Sequence, residues 1–376
     1  MKISILLPYK ENYSKDYAGA VSVFINGVNK KSFYKSSIKV FGNTHYKKIL
    51  SSNYVNIPFG KKIFQSSSKI YVNNFIKLEK KRKSDILEIH NRPSYLKFFL
   101  YFKKKIVFYF HNDPLSMSGS TSVKDREFIL HFCHKIIFNS EWTKKRFFQN
   151  MSKFYYNSEK IKIIYQSTST KKVKISKKEK IITFVGKLNS SKGYDLFGKA
   201  VIKILNEFKD WKSIVYGDEP REKIVFNHER FIIKGYQSND NVLKFLNKSS
   251  IAVACSRWEE PFGRSSLEAS SRGCAVIISN KGGLPETITD GVILKKLSSN
   301  EIYKEIKKLI LNKTKLKKLQ LNSYKNFYLN NSYSSALIDA YRKKFFFHSK
   351  INSKKLRILH VTNFNIRHNG RLFYNT

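Results

Sequence analysis

Residues 251–269 read Ile251-Ala252-Val253-Ala254-Cys255-Ser256-Arg257-Trp258-Glu259-Glu260-Pro261-Phe262-Gly263-Arg264-Ser265-Ser266-Leu267-Glu268-Ala269. The first four form a short apolar run, the pattern of a strand buried on both faces of a parallel sheet. Pro261 and Gly263 permit a tight turn, and a helical pattern follows them. Glu260 therefore falls at the carboxyl end of a strand and Glu268 about two turns into a helix. The amides of Phe262, Gly263 and Arg264 become free helix-N-terminal donors aimed at an anion. Ionised carboxylates on either side of that anion offer acceptors only, which suits hydroxyl groups. Taken alone, the stretch reads more simply as a surface helix with two solvated glutamates.

Two further stretches change that weighting. Val185-Gly186-Lys187-Leu188-Asn189-Ser190-Ser191-Lys192-Gly193 follows the apolar run 181–185, and Lys281-Gly282-Gly283-Leu284-Pro285-Glu286 follows the run 275–279. Lys187 and Lys192 beside a helix start suit a diphosphate held without a metal, although each alone reads as an ordinary surface lysine. Three such loops, each after a candidate strand of the same domain, place one ligand at one sheet edge. Other strand-like runs lie at 3–7, 38–41, 86–89, 106–110, 136–138, 161–165, 213–216 and 231–233, with helical patterns between several of them, as at 142–155 and 196–205. This alternation predicts an α/β protein of two Rossmann-like domains facing a cleft, with ligands at the strands' carboxyl ends. The polar, basic segment 167–180 is the linker candidate, so the expected division is residues 1–168, 169–330, a helix over 331–350 and a tail over 351–376. The tail holds another strand-like run, and reads either as the start of a truncated further domain or as a disordered basic end.

Composition bounds the function. The chain has 376 residues, 72 Lys and Arg against 27 Asp and Glu, and a formal net charge of +45, with 41% hydrophobic and 15% aromatic residues. At roughly 150 residues per domain this length fits two domains with ample core. The lysines run along the whole chain without a nucleic-acid motif, so codon bias is favoured over a polyanion site and no nucleic-acid partner is expected. Cys133, Cys255 and Cys274 are too few and too scattered for a disulfide framework or a Cys-rich zinc site. His131, Cys133 and His134 read as packing residues rather than metal ligands. The first apolar run is too short for a signal-peptide core, and no uncharged stretch of ~18 residues follows, which predicts a cytoplasmic protein.

In combination these motifs resemble the retaining family 4 glycosyltransferases of GT-B fold, over roughly residues 1–347. The Glu-x7-Glu motif is Glu260 to Glu268, the Gly-basic and Lys-Gly loop is Gly186-Lys187 with Lys192-Gly193, and the Gly-Gly-x-Pro-Glu turn is Gly282 to Glu286. The resemblance implies that Glu260 contacts the donor sugar, that Glu268 holds the nucleotide ribose, and that Lys187 and Lys192 bind the diphosphate. Lys187 stands where Arg is usual, which trades a bidentate fork for a point charge. The resemblance also makes His111, in His111-Asn112-Asp113-Pro114, the active-site histidine; by itself it reads as a strand-capping polar residue. Gly19, in Ala18-Gly19-Ala20, corresponds to a Gly-rich loop near the donor phosphate, and His90, Asn91 and Arg92 are expected on the acceptor side. Gln166-Ser167 stands where Asn-Gly is usual.

The implied activity is transfer of a sugar from a nucleotide-diphosphate sugar to a glycan or lipid-linked hydroxyl, with retention, in bacterial surface polysaccharide or lipopolysaccharide synthesis. UDP, GDP and ADP donors all fit, with no metal and no cofactor besides the donor substrate; no Asp-x-Asp occurs in the chain. Residues 95–105 and 142–148 mix aromatic and basic side chains, and read either as peripheral contact with an anionic membrane or as amphipathic helices packed on the sheet. The alternatives are a GT-B sugar epimerase or phosphorylase, and a basic nucleic-acid-binding protein.

Overall fold

The computed structural model describes residues 1–58, 66–152 and 156–351, with side chains to Phe346. The first sheet contains β1 (Ile3–Leu6), β2 (Ile38–Gly42), β3 (Tyr54–Asn56), β4 (Ile86–His90), β5 (Lys105–Phe110), β6 (Lys135–Phe138) and β7 (Ile161–Ile163), in the order β3-β2-β1-β4-β5-β6-β7. Its helices are α1 (Ala20–Lys31), α2 (Ser67–Arg82), α3 (Val123–Phe132) and α4 (Glu141–Phe147). The second sheet contains β8 (Glu179–Val185), β9 (Lys212–Tyr216), β10 (Phe231–Ile233), β11 (Ser249–Ala254), β12 (Ala275–Ser279) and β13 (Val292–Leu294), ordered β10-β9-β8-β11-β12-β13. Around it lie α5 (Tyr194–Glu207), α6 (Asn239–Leu246), α7 (Arg264–Ser271), α8 (Ser299–Leu311), α9 (Lys313–Lys325) and α10 (Asn331–Ile351). All named strand pairs are parallel, as the alternation of strand and helix predicts. Both orders reverse direction after the first strand, which places a ligand crevice beside β1 and β4 in one sheet and β8 and β11 in the other.

The apolar runs became strands because both of their faces are covered. Every residue of β1, β4 and β12 is buried. Helix α5 buries Tyr194, Phe197, Ala200, Val201, Ile204 and Leu205, a stripe at helical spacing. Strand β3 (Tyr54-Val55-Asn56) lacks such a run, and that of β13 is only Val292-Ile293-Leu294. Each is a three-residue edge strand with one neighbour, so packing demands little apolar sequence of it. The helix expected over 142–155 stops at Phe147, and residues 153–155 lie outside the described residues, as does the tail after Ile351.

The segment expected as a linker is not a loose tether at its start. Gln166, Ser167 and Thr168 are buried. The Thr168 amide donates to the Leu329 carbonyl (3.2 Å), the Asn331 amide to the Thr168 carbonyl (3.1 Å), and Arg272 to the Ser169 carbonyl (2.7 Å). Residues 95–105 pack largely inward: Tyr95, Leu96 and Phe99 join the first core, while Leu100 and Tyr101 project into solvent. Cys133 joins the same core, and His134 Nδ1 accepts from the Ile106 amide (3.2 Å). No helix among the described residues is long and apolar enough to cross a membrane.

Helix α10 returns from the second sheet to the first. Ile338 and Tyr341 enter the core beneath β1 and α1. Arg342 then meets Glu88 of β4 through Nε–Oε1 and Nη2–Oε2 bonds of 2.8 Å each, with both side chains 1% exposed. Burial pushes the guanidinium pKa down, but Glu88 and Tyr341 outweigh that and hold it well above its ordinary value. Removing one partner leaves the other charged and unsolvated. Arg342→Met is expected to destabilise the fold by about 3–5 kcal/mol in urea unfolding. The double variant Glu88→Leu, Arg342→Met should recover most of that loss, and an equal or larger loss in the double variant would contradict the account.

Candidate active site

A cleft of about 430 Å³ lies where the carboxyl ends of the two sheets meet, within the size range of small-molecule sites. From the second sheet, β8 delivers Gly186 and the loop carrying Lys192, while β11 delivers Glu260 and the start of α7. Gly193 ends the lysine loop at φ +73°, and a Cβ there would lie 1.9 Å from the Cys255 carbonyl oxygen. Only glycine lets this loop rest on the end of β11, which brings Lys192 to Glu260. The two form an ion pair, Lys192 Nζ to Glu260 Oε1, with Glu260 nearly buried. The Gly283 amide donates to the Glu260 carbonyl (2.6 Å), so the third glycine loop braces the second.

Gly263 caps α7 without a side-chain bond, and Phe262, Gly263, Arg264 and Ser265 all line the cleft. Helix α7 therefore begins at the cavity with its first amides uncapped by a side chain. One turn further, Glu268 Oε1 accepts from Arg264 Nη2 (2.7 Å) and from Asn239 Nδ2 (2.8 Å). Those bonds fix the carboxylate by one oxygen. Asn239 was not singled out from the sequence. It belongs to α6, and its bond to Glu268 spans 29 residues, so no local motif could reveal it.

The first sheet contributes His111, Asn112, Asn139 and the loop at Ala18 and Ala20. His111 is buried at the end of β5, and both of its ring nitrogens have partners: His90 Nδ1 lies 2.9 Å from Nε2, and Gln166 Nε2 lies 3.2 Å from Nδ1. Its amide donates to Asn91 Oδ1 (2.8 Å), and Asn139 Nδ2 donates to its carbonyl (3.0 Å). Burial, with the nearby Arg264 charge, pushes the His111 pKa down to about 3. Burial, with His111 and Arg342, holds His90 well below its ordinary value.

The structure brings His111, Lys192, Glu260, Phe262, Gly263, Arg264 and Glu268 to one cavity. It does not bring the others there in the expected way. His90 and Asn91 are buried behind His111 as its supports rather than on an acceptor-facing wall, because β4 and β5 are neighbours and place them beside it. Arg92 is exposed, with φ +63°, at the turn after β4. Lys187 follows the cleft residue Gly186, but its side chain is exposed and does not line the cavity. Gly19 caps α1, yet the anion beside it is internal. The Glu11 carboxylate accepts from the Ser22 amide (2.8 Å) and occupies the space that a Cβ at position 19 would fill. Burial raises the Glu11 pKa although helix amides oppose the rise. A polar loop residue eight positions before Gly19 carries no motif, so sequence reading passed it over.

Glu286, the last residue of the Gly-Gly-x-Pro-Glu turn, reaches the other sheet rather than the cavity. Its carboxylate accepts from the Glu141 and Trp142 amides (2.6 and 2.9 Å), and Ser140 Oγ donates to the Pro261 carbonyl (2.6 Å). These bonds clamp the start of α4 against the loop that carries Glu260.

The buried histidines set a pH response. An unfolded chain takes up protons on both rings below about pH 6.5, whereas the folded His111 stays neutral until about pH 3. The unfolded state then binds more protons, so stability is fully present above pH 6.5 and falls as the pH drops toward 3. Urea midpoints are expected to decline between pH 7 and pH 4.5, and less steeply in His111→Asn; an unchanged slope in that variant would contradict the assignment.

Residues 166–326 match the family model described as Glycosyl transferases group 1. Over 148 residues the chain is 34% identical to an uncharacterized 41.2 kDa protein in the cps region of Klebsiella pneumoniae, covering 35% of this chain and 40% of that protein. It is 24% identical over 166 residues to the lipopolysaccharide 1,2-N-acetylglucosaminetransferase of Salmonella typhimurium, covering 39% and 44% of the two chains. The chain thus spans less than half the length of each of these relatives. The crystal structure of Anabaena HepE in complex with UDP-glucose superposes with a TM-score of 0.71 at 15% identity, over 92% of this chain and all of that one. That likeness establishes the fold as two facing parallel α/β units of the GT-B kind.

Proposed function

We propose that the protein is a retaining, metal-independent glycosyltransferase that moves a sugar from a nucleotide-diphosphate sugar to a glycan or lipid-linked hydroxyl in surface polysaccharide or lipopolysaccharide synthesis. The observation that carries this reading is the convergence of Lys192, Glu260, the α7 N-terminus and Glu268 in one cleft, within the segment that matches the glycosyltransferase family model. The structural relative HepE was crystallised with UDP-glucose, which supports a nucleotide-sugar donor.

In this reading the diphosphate lies between Lys192 and the amides of Phe262, Gly263 and Arg264, which face charge that grows as the leaving group departs. Drawn to the phosphate, Lys192 releases Glu260 from their ion pair, and the freed carboxylate accepts sugar hydroxyls. Glu268, held by Arg264 and Asn239 through Oε1, offers Oε2 to the ribose. The bond from the anomeric carbon to the phosphate oxygen breaks, the acceptor oxygen bonds to that carbon on the same face, and its proton passes to the departing phosphate oxygen. Water is the competing acceptor, so clamping Glu286 onto α4 serves to keep the cleft closed. The α1 N-terminus, taken by Glu11, leaves the diphosphate charge chiefly to the second sheet's loops. We place the enzyme in the cytoplasm, with Leu100, Tyr101 and neighbouring lysines meeting an anionic bilayer.

A panel of UDP, GDP and ADP sugars should identify the donor by raising the melting temperature. Lys192→Ala and Glu260→Ala are each expected to cut transfer at least ~100-fold while the fold persists by circular dichroism; full activity in either variant would sink the site assignment. Membrane contact makes a separate forecast. Sedimentation with anionic liposomes at low salt should capture the wild type and markedly less of Tyr101→Ser, and no capture of the wild type would remove that element.

A further inference from the structure

One residue of the cleft wall carries a buried acceptor that the protein leaves unpaired. Gln166 lies on the segment joining the two sheets, is 4% exposed and lines the cavity. Its Oε1 has no hydrogen-bond partner among the described residues. Its other amide atom, Nε2, lies 3.2 Å from His111 Nδ1. An amide NH2 group only donates, so His111 Nδ1 accepts and the ring proton sits on Nε2. That proton is donated to His90 Nδ1 at 2.9 Å. Both nitrogens of His111 are therefore engaged inside the protein, and neither is left for a ligand.

The surroundings hold the amide in place. Ser167 donates to Asn331 Oδ1 (3.0 Å), Arg264 Nη1 donates to the Ser167 carbonyl (3.3 Å), and Thr168 is bonded on both sides. His90 stacks on Tyr109 with ring centroids 4.2 Å apart, so packing holds the ring at the far end of the chain of bonds, while its Nε2 has no hydrogen-bond partner among the described residues. A buried carbonyl without a donor is costly, and at a cleft wall the missing donor is one that a ligand brings.

Resting on the donor reading above, we propose that Gln166 is a second side chain, beside Glu260, that meets the transferred sugar: its Oε1 accepts one sugar hydroxyl, and His111, braced by His90, is the positioning residue that aims the amide. The site then selects for a hydroxyl at one ring position, because an analogue lacking it leaves Oε1 unpaired.

Calorimetric titration of the full-length protein with UDP, GDP and ADP, and with their glucose, galactose and N-acetylglucosamine conjugates, separates nucleotide affinity from the extra factor contributed by the sugar. Gln166→Met keeps the side chain's length and removes both polar atoms. Its nucleotide affinity should stay within about twofold of wild type while the sugar factor falls about tenfold, the scale of a hydrogen bond lost with its partner left buried. Gln166→Asn withdraws the amide by one methylene, carries the same expectation, and serves if the Met variant does not fold. A wild-type sugar factor in a folded variant overturns the proposal, and so does an equal fall in both affinities, which would make the amide a structural group. Failure of the wild type to bind any of these nucleotides overturns the glycosyltransferase reading itself, and this proposal with it.

Discussion

The Glu88–Arg342 pair joins the last described helix to the centre of the first sheet, and the geometry of the cleft depends on that junction. Two buried charges are tolerable only when each finds its full set of partners. Arg342 reaches both oxygens of Glu88 and also bonds Ser32 and Asp339, while Tyr341 donates to Glu88. Tyr341 in turn bonds Tyr109, on which His90 stacks, and His90 bonds His111. Glu88 and His90 lie on β4, and Tyr109 lies on β5, so the period of two places alternate residues on one face. A single buried chain thus runs from α10 to the wall of the cleft.

The second half of the cleft is assembled from loops rather than from a sheet face. Its charges are paired within the protein, Lys192 with Glu260 and Arg264 with Glu268, just as Glu11 in the first half is paired with the first amides of α1. Such pairing keeps ionised groups solvated by the fold, and it makes ligand binding an exchange of partners rather than an addition of charge. The bonds from Glu286 and Ser140 across to the opposite sheet hold the exchanging groups at working distance. Of the +45 net charge, the cavity uses Lys192 and Arg264. The bulk of the basic excess lies elsewhere, in keeping with a compositional rather than a functional origin.

Sequence reading succeeded where the signal was local. A parallel strand buried on both faces is mostly apolar, so β1, β4, β8, β11 and β12 could be read directly. Glycine, proline and a polar residue after such a strand mark a loop at the sheet's carboxyl edge, and Lys192, Glu260 and Glu268, read from such loops, do line one cavity. It fell short where the same local signal has two structural outcomes. Lys187 and Lys192 share one loop, yet only Lys192 turns into the cavity, because the Gly193 contact with β11 directs it. His90 and Asn91 follow a strand just as His111 does, but they end up behind it. The edge strand β3 has no continuous apolar run to read, and the three apolar residues of β13 are too few to mark a strand by themselves.

What the sequence determined by itself was the alternation of strand and helix, the two-sheet architecture, and which loops stand at the carboxyl ends of strands. These follow from periodicity and backbone chemistry within a few residues of one another. Tertiary structure alone decided which polar groups are paired. Glu11 closing the α1 N-terminus, Gln166 with its unpaired oxygen, Asn239 steadying Glu268, and Arg342 meeting Glu88 across 254 positions are contacts of a folded interior. A hydrogen bond or ion pair depends on ångström distances between elements remote in the chain, and composition and spacing carry no record of those distances.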